Sequence, residues 1–418
     1  MLVKTILNRC SKFKSFVYGD VRIIENGDSP SIEIEIQPRK NSRALCSGCH
    51  MPGPGYDLQN SPRTFEFIPI WGFRVFFIYT MRRVDCKTCG VRVEEVPWAN
   101  GKNSLTKTYM QFLANWCRSL SWSEAAKRFG TSWDKVYSSI EYVVSWGLEN
   151  RSLDGVTAIG VDEVAWKKGH KYLTLVYQIN KNCVRLLWVH KDRTEASFSK
   201  FFDELGEDRC KLIEFVCSDM WKAYLKVIRE RIGGAIHILD RFHIVANLNK
   251  ALDKVRAEEH KQMKTDGYDP ILTDARWTLL KRPENLTEKQ EIKLKDIVKY
   301  NLKSIRAYFL KEQFQQLWKY VSPGWAGKFI DRWTTQAMRS KIEPMKKQAK
   351  SIRKHKELIL NYFRAKKEFS SGIVEGLNTK VKLTVRKSYG FREYKSMEIA
   401  LYHSLGKLPE PPLTHRFY

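Results

Sequence analysis

Over the first hundred residues, apolar positions fall in short runs with a period of two. Residues 21–24, the strictly alternating Ile32-Glu-Ile-Glu-Ile36, residues 64–70 and residues 73–79 are rich in β-branched and aromatic side chains. Such runs, separated by turn residues, predict strands, with Trp71-Gly72 as the hairpin between the last two. Residues 98–103 supply a linker candidate. From 104 to about 150 the period lengthens. Ser121-Trp-Ser-Glu124 has capping-box spacing, Gly130 closes a short helix, and Thr131-Ser-Trp-Asp134 opens another with Val136, Ile140, Val143 and Val144 on one face. A short helix, a Gly-bearing turn and a longer helix predict a helix-turn-helix. Between 155 and 245 strand candidates (156–162, 172–179, 184–190, 212–218, 235–239) alternate with helix candidates at 194–205 and 220–232. The first three strands are close enough in sequence for an antiparallel meander. From 246 to 368 the pattern is helical. Leu294, Val298, Leu302, Ile305 and Phe309 step along one face behind a capping box at Thr287-Glu-Lys-Gln290, and Pro283, Pro323 and Pro344 break the zone.

The predicted fold class is multidomain α+β. Three meander strands followed by helix, strand, helix and strand is the order of a ribonuclease-H-like α/β core. The expected division is a zinc-ribbon domain at 1–100, a helix-turn-helix domain at 104–150, the first part of the core at 151–245, an all-helical insertion at 246–368, and the last part of the core at 369–418.

Charge narrows the chemistry. Lysine and arginine number 73 against 46 acidic residues in 418, a net charge of +27. Such an excess points to a polyanionic partner, because phosphate contacts release condensed counterions. A hydrophobic content of 43% excludes a disordered polycation. No apolar stretch approaches the roughly 18 residues of a membrane helix, and the start lacks a signal-peptide pattern, so a cytosolic protein is expected.

Cys46-Ser-Gly-Cys49 and Cys86-Lys-Thr-Cys89 are two CxxC knuckles among nine cysteines. Four thiolates suit one tetrahedral zinc, structural because no coordination position stays open; His50 is the alternative ligand. A gap this long between the knuckles suits a ribbon enclosing two or three strands. At the helix-turn-helix, Lys127, Arg128 and Lys135 are the candidate DNA contacts.

Asp162 and Asp219 each close an apolar strand-like run, and Glu375 sits on a helix edged with cations, where Asn378, Lys382 and Arg386 fall near its face. Two strand-end aspartates and a helical glutamate can hold two divalent ions about 4 Å apart, the clamp for in-line phosphoryl transfer. Glu163, Asp203 and Glu204 compete for the same role. Asp240 and His243, after the fifth strand, could orient the site. Trp277, Trp318, Trp325 and Trp333 in the helical zone are read as core.

In order along the chain, the CxxC pairs, the helix-turn-helix, Ile159-Gly-Val-Asp-Glu163, Ser218-Asp-Met-Trp221, Asp240-Arg-Phe-His243, Arg276-Trp-Thr-Leu-Leu-Lys281 and Val374-Glu-Gly-Leu-Asn-Thr-Lys380 resemble the blocks of DDE-type transposases of the L-three insertion-sequence family. The resemblance covers nearly the whole chain. It implies a catalytic triad of Asp162, Asp219 and Glu375 binding two Mg²⁺ (or Mn²⁺) ions, with Asp240 and His243 as an Asp-x-x-His signature. It also implies terminal inverted repeats and target DNA as double-stranded partners, a homodimer or larger synaptic complex, and a bacterial, nucleoid-associated location. A DNA-binding regulator without catalysis, or a structure-specific nuclease on the same core, are the competing classes.

Overall fold

Alternation in the N-terminal residues is realised as sheet. In the computed structural model, residues 3–25, 30–167, 171–268, 271–368, 372–388 and 390–412 are described. They fall into two units, Met1–Ser152 with Leu383–Tyr418, and Leu153–Lys382.

In the first unit, helix α1 (Val3–Cys10) leads to β1 (Phe16–Ile24) and β2 (Ser31–Pro38). Short strands β3 (Ala44–Leu45), β4 (Pro52–Gly53) and β5 (Gly55–Leu58) precede β6 (Arg63–Ile70), β7 (Phe73–Tyr79), β8 (Arg82–Cys86) and β9 (Gly90–Val93). The main sheet runs β1-β2-β7-β6, and its alternate residues Ile32, Ile34, Ile36, Phe65, Phe67 and Phe77 are buried together. At the β6–β7 hairpin, Trp71 and Gly72 take φ of 50° and 86°, the backbone of a turn whose twist matches its strands. Trp98, placed by sequence at the start of a linker, is instead buried edge-on against Phe16, Phe65 and Tyr79. The knuckles enclose five strands rather than two or three, because β6 and β7 leave the ribbon to pair in the main sheet.

Three helices follow: α2 (Lys107–Trp116), α3 (Trp122–Arg128) and α4 (Trp133–Asn150). Ser121 and Glu124 form the reciprocal capping box of α3, Gly130 turns the chain at φ 60°, and Ser132, rather than Thr131, caps α4.

The second unit opens with β10 (Ala158–Lys167), β11 (Lys171–Asn180) and β12 (Cys183–Lys191), then α5 (Glu195–Leu205), α6 (Glu207–Lys211), β13 (Phe215–Ser218), α7 (Lys222–Arg231) and β14 (Ile236–Leu239). Its sheet runs β12-β11-β10-β13-β14; the first three strands are antiparallel and the last two are parallel to β10. Ile159, Val161 and Val216 on one face bury Phe198 and Phe202 of α5 and Tyr224, Val227 and Ile228 of α7. The opposite face carries Gly160, Asp162 and Cys217.

Helices α8 (Arg241–Thr265), α9 (Arg276–Leu280), α10 (Glu288–Ile297), α11 (Lys303–Gln315), α12 (Pro323–Arg339), α13 (Glu343–Lys354) and α14 (Lys356–Arg364) come next. The periodic run Leu294 to Phe309 is two helices, not one. Glu259 of α8 accepts the backbone N–H groups of Lys303 and Ser304 at 2.8 Å each, so a new N-terminus is capped from outside the local sequence. Trp333 is buried, as expected, and Trp318 is half-buried against Phe314, Tyr362 and Phe363. Contrary to expectation, Trp277 and Trp325 are exposed, lying against Arg276 and Lys328. Helix α15 (Gly372–Lys387) carries Glu375, and α16 (Tyr394–Leu405) closes the first unit.

Candidate active site and metal centre

Parallel pairing places three aspartates side by side. Gly160 pairs with Cys217, and Ser218 with Leu239. Two residues beyond the first pair and one beyond the second, Asp162, Asp219 and Asp240 therefore come level on one face of the sheet. Asp219 and Asp240 lie just past the ends of β13 and β14. Asp162 is not at a strand end: β10 continues to Lys167, pairing Asp162 with Leu175 of β11. The sequence run stopped there because the neighbouring parallel strand stops, which changes the residues from fully buried to half-buried.

The helix bearing Glu375 crosses β10 on this same face. A Cβ on Gly160 would lie 2.4 Å from Cγ2 of Val374, so the glycine is what allows α15 to sit down on the strand. Replacing it should force helix and strand apart. Gly160→Ala is expected to cost about 1–3 kcal/mol of stability, measured by denaturant unfolding; a neutral result would show that α15 yields easily. One turn beyond Val374, Asn378 is buried and its Nδ2 donates to Oδ2 of Asp162 at 2.5 Å. Its Oδ1 accepts from the Tyr177 hydroxyl at 2.7 Å. Glu375 itself is exposed in the first turn of α15. Residues 370–371 of the same sequence block lie outside the described residues.

Burial and like charge act on these acids. Burial raises Asp162 from 3.8 to about 6, helped by Asp219 and Asp240 and opposed by the Glu163 N–H and His243. Asp219 is also raised, chiefly by burial. His243, in an ion pair with Asp240 at 2.9 Å, is raised to about 9 mainly by that partner. Asp240 also caps α8 through the N–H of Phe242 at 2.6 Å. An acid whose folded pKa exceeds its unfolded value binds a proton more tightly when folded, so its contribution to stability falls as pH rises between the two values. Unfolding curves should show wild type losing stability relative to Asp162→Asn as pH climbs from 3.8 to about 6. A difference constant over that window would show that the carboxyl is not perturbed.

Beside the row, Arg193 was missed by sequence reading. Its guanidinium pairs with Glu163 at 2.8 Å and lies over the rings of Tyr172 and Trp221, 4.2 and 4.7 Å from their centroids. The Trp221 backbone N–H in turn donates to Oδ1 of Asp219 at 2.9 Å, while the Trp221 indole N–H donates to the Arg193 carbonyl at 3.3 Å. Glu163 is thus occupied by a cation. Asp203 pairs with Arg231, and Glu204 accepts from the Trp188 indole.

In the ribbon, the Sγ atoms of Cys46, Cys49, Cys86 and Cys89 all lie within 4.8 Å of one another. Among the described residues this is the only set of three or more His, Cys, Asp or Glu that close; Asp162, Asp219 and Glu375 do not gather to that spacing. A Cβ on Gly48 would lie 3.0 Å from Sγ of Cys89, a tight contact to which the thiol would have to yield. Backbone N–H groups of Cys89 and Thr88 lower the Cys86 thiol to about 7, while Cys49 and Cys89, sharing hydrogen bonds within the cluster, are raised. One thiol ionises readily at the expense of its neighbours, and a soft metal would be needed to hold all four as thiolates. His50 is engaged by Glu95 at 2.6 Å, and the four sulfurs need no fifth donor.

Of the candidate DNA contacts, Lys127, Arg128, Lys382 and Arg386 are exposed. Lys135 is paired with the buried Glu66 at 2.9 Å, and Asn378 points into the site rather than outward. Helical spacing groups Asn378 with Lys382 and Arg386; what separates them is Asp162, which is 216 residues away along the chain. No helix among the described residues is long and apolar enough to cross a membrane.

The chain thus joins an acid row on a mixed sheet, a glutamate-bearing helix crossing β10 and, earlier in the sequence, a four-cysteine knuckle. A family model described as transposase, of the DDE type and the L-three insertion-sequence family, matches residues 159–401. The match contains Asp162, Asp219, Asp240, His243 and Glu375. The chain belongs to this family of insertion-sequence transposases. It is 29% identical to the transposase for insertion sequence element IS1557 of Mycobacterium tuberculosis, covering 96% of this chain and 95% of that one. It is 27% identical to the transposase for IS1001 of Bordetella parapertussis, covering 80% and 82%.

Proposed function

We propose that this transposase binds the terminal inverted repeats of its element, cuts the phosphodiester at each end to free a 3′-OH, and joins that hydroxyl to target DNA. The observation that supports it best is the row of Asp162, Asp219 and Asp240 at adjoining strands, with the Glu375 helix laid across β10. The strand order around that row is the one expected of a ribonuclease-H-like core. Helices α8 to α14 would then be the insertion before the last acid.

The donor set fits divalent cations: Asp162 and Asp219 are hard oxygen ligands, both held at raised pKa by burial and by other carboxylates, a strain that a cation relieves. Two Mg²⁺ ions, or Mn²⁺, held by Asp162, Asp219 and Glu375 would activate the attacking oxygen and neutralise charge on the leaving one. The chain's own residues do the positioning. The Glu163 N–H and Asn378 orient Asp162, the Trp221 N–H orients Asp219, and His243 supports the row as a cation through Asp240. Lys382, exposed further along α15, would hold a backbone phosphate near the acids, and Arg386, also exposed, is a further candidate phosphate contact. The exposed Lys127 and Arg128, with the ribbon, would read the end sequences, the ribbon being fixed by one structural Zn²⁺. Joining two ends requires a dimer or larger synaptic assembly.

The test is a duplex carrying the element's end, incubated with the full-length protein and Mg²⁺ beside a plasmid target. The expected products are nicked ends bearing 3′-OH and target-joined strands. Binding without any cut would indicate a regulator. Cutting confined to branched DNA, with no joined product, would indicate a structure-specific nuclease.

A further inference from the structure

The buried amide of Asn378 sits where a surface residue was expected, and both its ends are used. We propose that Asn378, oriented by Tyr177, is a positioning residue that fixes the Asp162 carboxylate and ties the Glu375 helix to β10; this rests on the metal-dependent reading above. A Tyr hydroxyl has one proton, and here it faces Oδ1 of Asn378 at 2.7 Å. An ionised carboxylate only accepts, so Nδ2 of Asn378 is the atom that faces Asp162, giving one N–H to Oδ2, and Oδ1 is left to take the Tyr177 proton. Oδ1 of Asp162 takes the Glu163 N–H at 2.7 Å. Each carboxylate oxygen therefore has one protein donor, which pins the plane of the group and leaves its remaining lone pairs for a cation.

Residue type follows from this geometry. Aspartate at 378 would set carboxylate against carboxylate, and leucine would leave the buried Tyr177 hydroxyl and Oδ2 of Asp162 without the amide. Asn378 is also three residues after Glu375, on the same side of α15. The amide therefore fixes how far the first acid stands from the last, although 213 positions separate 162 from 375 in the numbering. Partners of this kind, behind the direct ligands, commonly set cation affinity by about 10- to 100-fold.

The experiment compares wild type with Asn378→Ala, Tyr177→Phe and the double variant. Three quantities are measured: the Mg²⁺ concentration for half-maximal cleavage of an end duplex, Mn²⁺ binding to DNA-free protein by electron paramagnetic resonance, and end-duplex affinity without divalent cation. Asn378→Ala is expected to raise the half-maximal Mg²⁺ concentration and weaken Mn²⁺ binding by about tenfold or more, with duplex affinity unchanged. Tyr177→Phe should shift both in the same direction by less, and add nothing in the Asn378→Ala background, since the hydroxyl acts only through the amide. Tyr177→Phe keeps the ring and carries the test alone if Asn378→Ala fails to fold. Loss of duplex affinity with unaltered cation dependence would overturn the proposal in favour of a DNA contact. A lower melting temperature with both cation readouts unaltered would overturn it in favour of mere packing. Asp162→Ala run alongside keeps the two readings apart: if it still cleaves, the metal-dependent reading fails; if it does not and the cation readouts stay put, only the role of Asn378 fails.

Discussion

Asp219→Ala should reduce end cleavage and strand joining by roughly a thousandfold or more, by analogy with loss of a single preorganised charge-stabilising group, while end-duplex binding stays within about twofold of wild type in a direct titration. The asymmetry follows from what the side chain does. Asp219 stands between two other acids on a half-buried edge, and among the described residues its carboxylate accepts one hydrogen bond, a local one from the Trp221 backbone N–H. Its carboxylate repels rather than attracts a phosphate, so DNA binding gains nothing from it. The same reasoning gives an opposite sign for stability. Burial and neighbouring carboxylates raise its pKa, so above the carboxyl range the ionised group opposes folding. Removing the charge should leave the melting temperature unchanged or higher in cation-free buffer. A variant that is inactive and more stable would mark Asp219 as held in place for function against its local cost. Loss of activity together with loss of stability would instead make it a structural residue.

Legibility along the chain followed the reach of each interaction. Strands of the meander, the two capping boxes and the Trp71-Gly72 hairpin depend on neighbours in sequence, and they stand where the pattern puts them. Of the candidate acids, Asp219 stands just past the end of β13, where its apolar run puts it, whereas Asp162 lies inside β10, which continues to Lys167. What escaped depends on distant partners. Nothing near residue 302 announces that Glu259 will cap a helix there. Nothing near 378 announces Tyr177 and Asp162. Arg193 lies outside every periodic run, and its role is visible only once Glu163, Tyr172 and Trp221 surround it. Gly160 carried a usable hint, a glycine inside an apolar strand, since such a residue often marks close backbone approach. Exposed Trp277 and Trp325 were unreadable for a different reason: an aromatic over a cation's stem and an aromatic in a core look alike in a one-dimensional pattern.

The second large effect concerns the cysteine knuckle. Stripping zinc with a chelator, or substituting Cys86→Ser, should unfold the ribbon strands and lower end-duplex affinity by at least about tenfold. The magnitude follows from how little else holds this region. Its buried cluster consists of Ala44, Cys46, Val84 and Cys86, with Cys49 and Cys89 packed against it, so cysteine supplies most of its own core. Strands β3 and β4 are two residues long, far below what pairs stably alone. Structural zinc sites supply on the order of 10 kcal/mol or more, which no apolar contact among these residues can replace. Limited proteolysis should therefore open new sites between residues 44 and 93 on chelation, and elemental analysis should find one zinc per chain before it and none after. The main sheet, with its own core of Ile34, Phe65, Val75 and Phe77, should persist, so circular dichroism should change modestly. Joining of a pre-nicked end to target, at high DNA concentration, should also survive, because Asp162, Asp219 and Glu375 lie in other elements. If the purified protein carries no zinc and chelation changes neither proteolysis nor binding, the four thiols are a reduced cluster packed for shape alone, and end recognition belongs to α3 and α4.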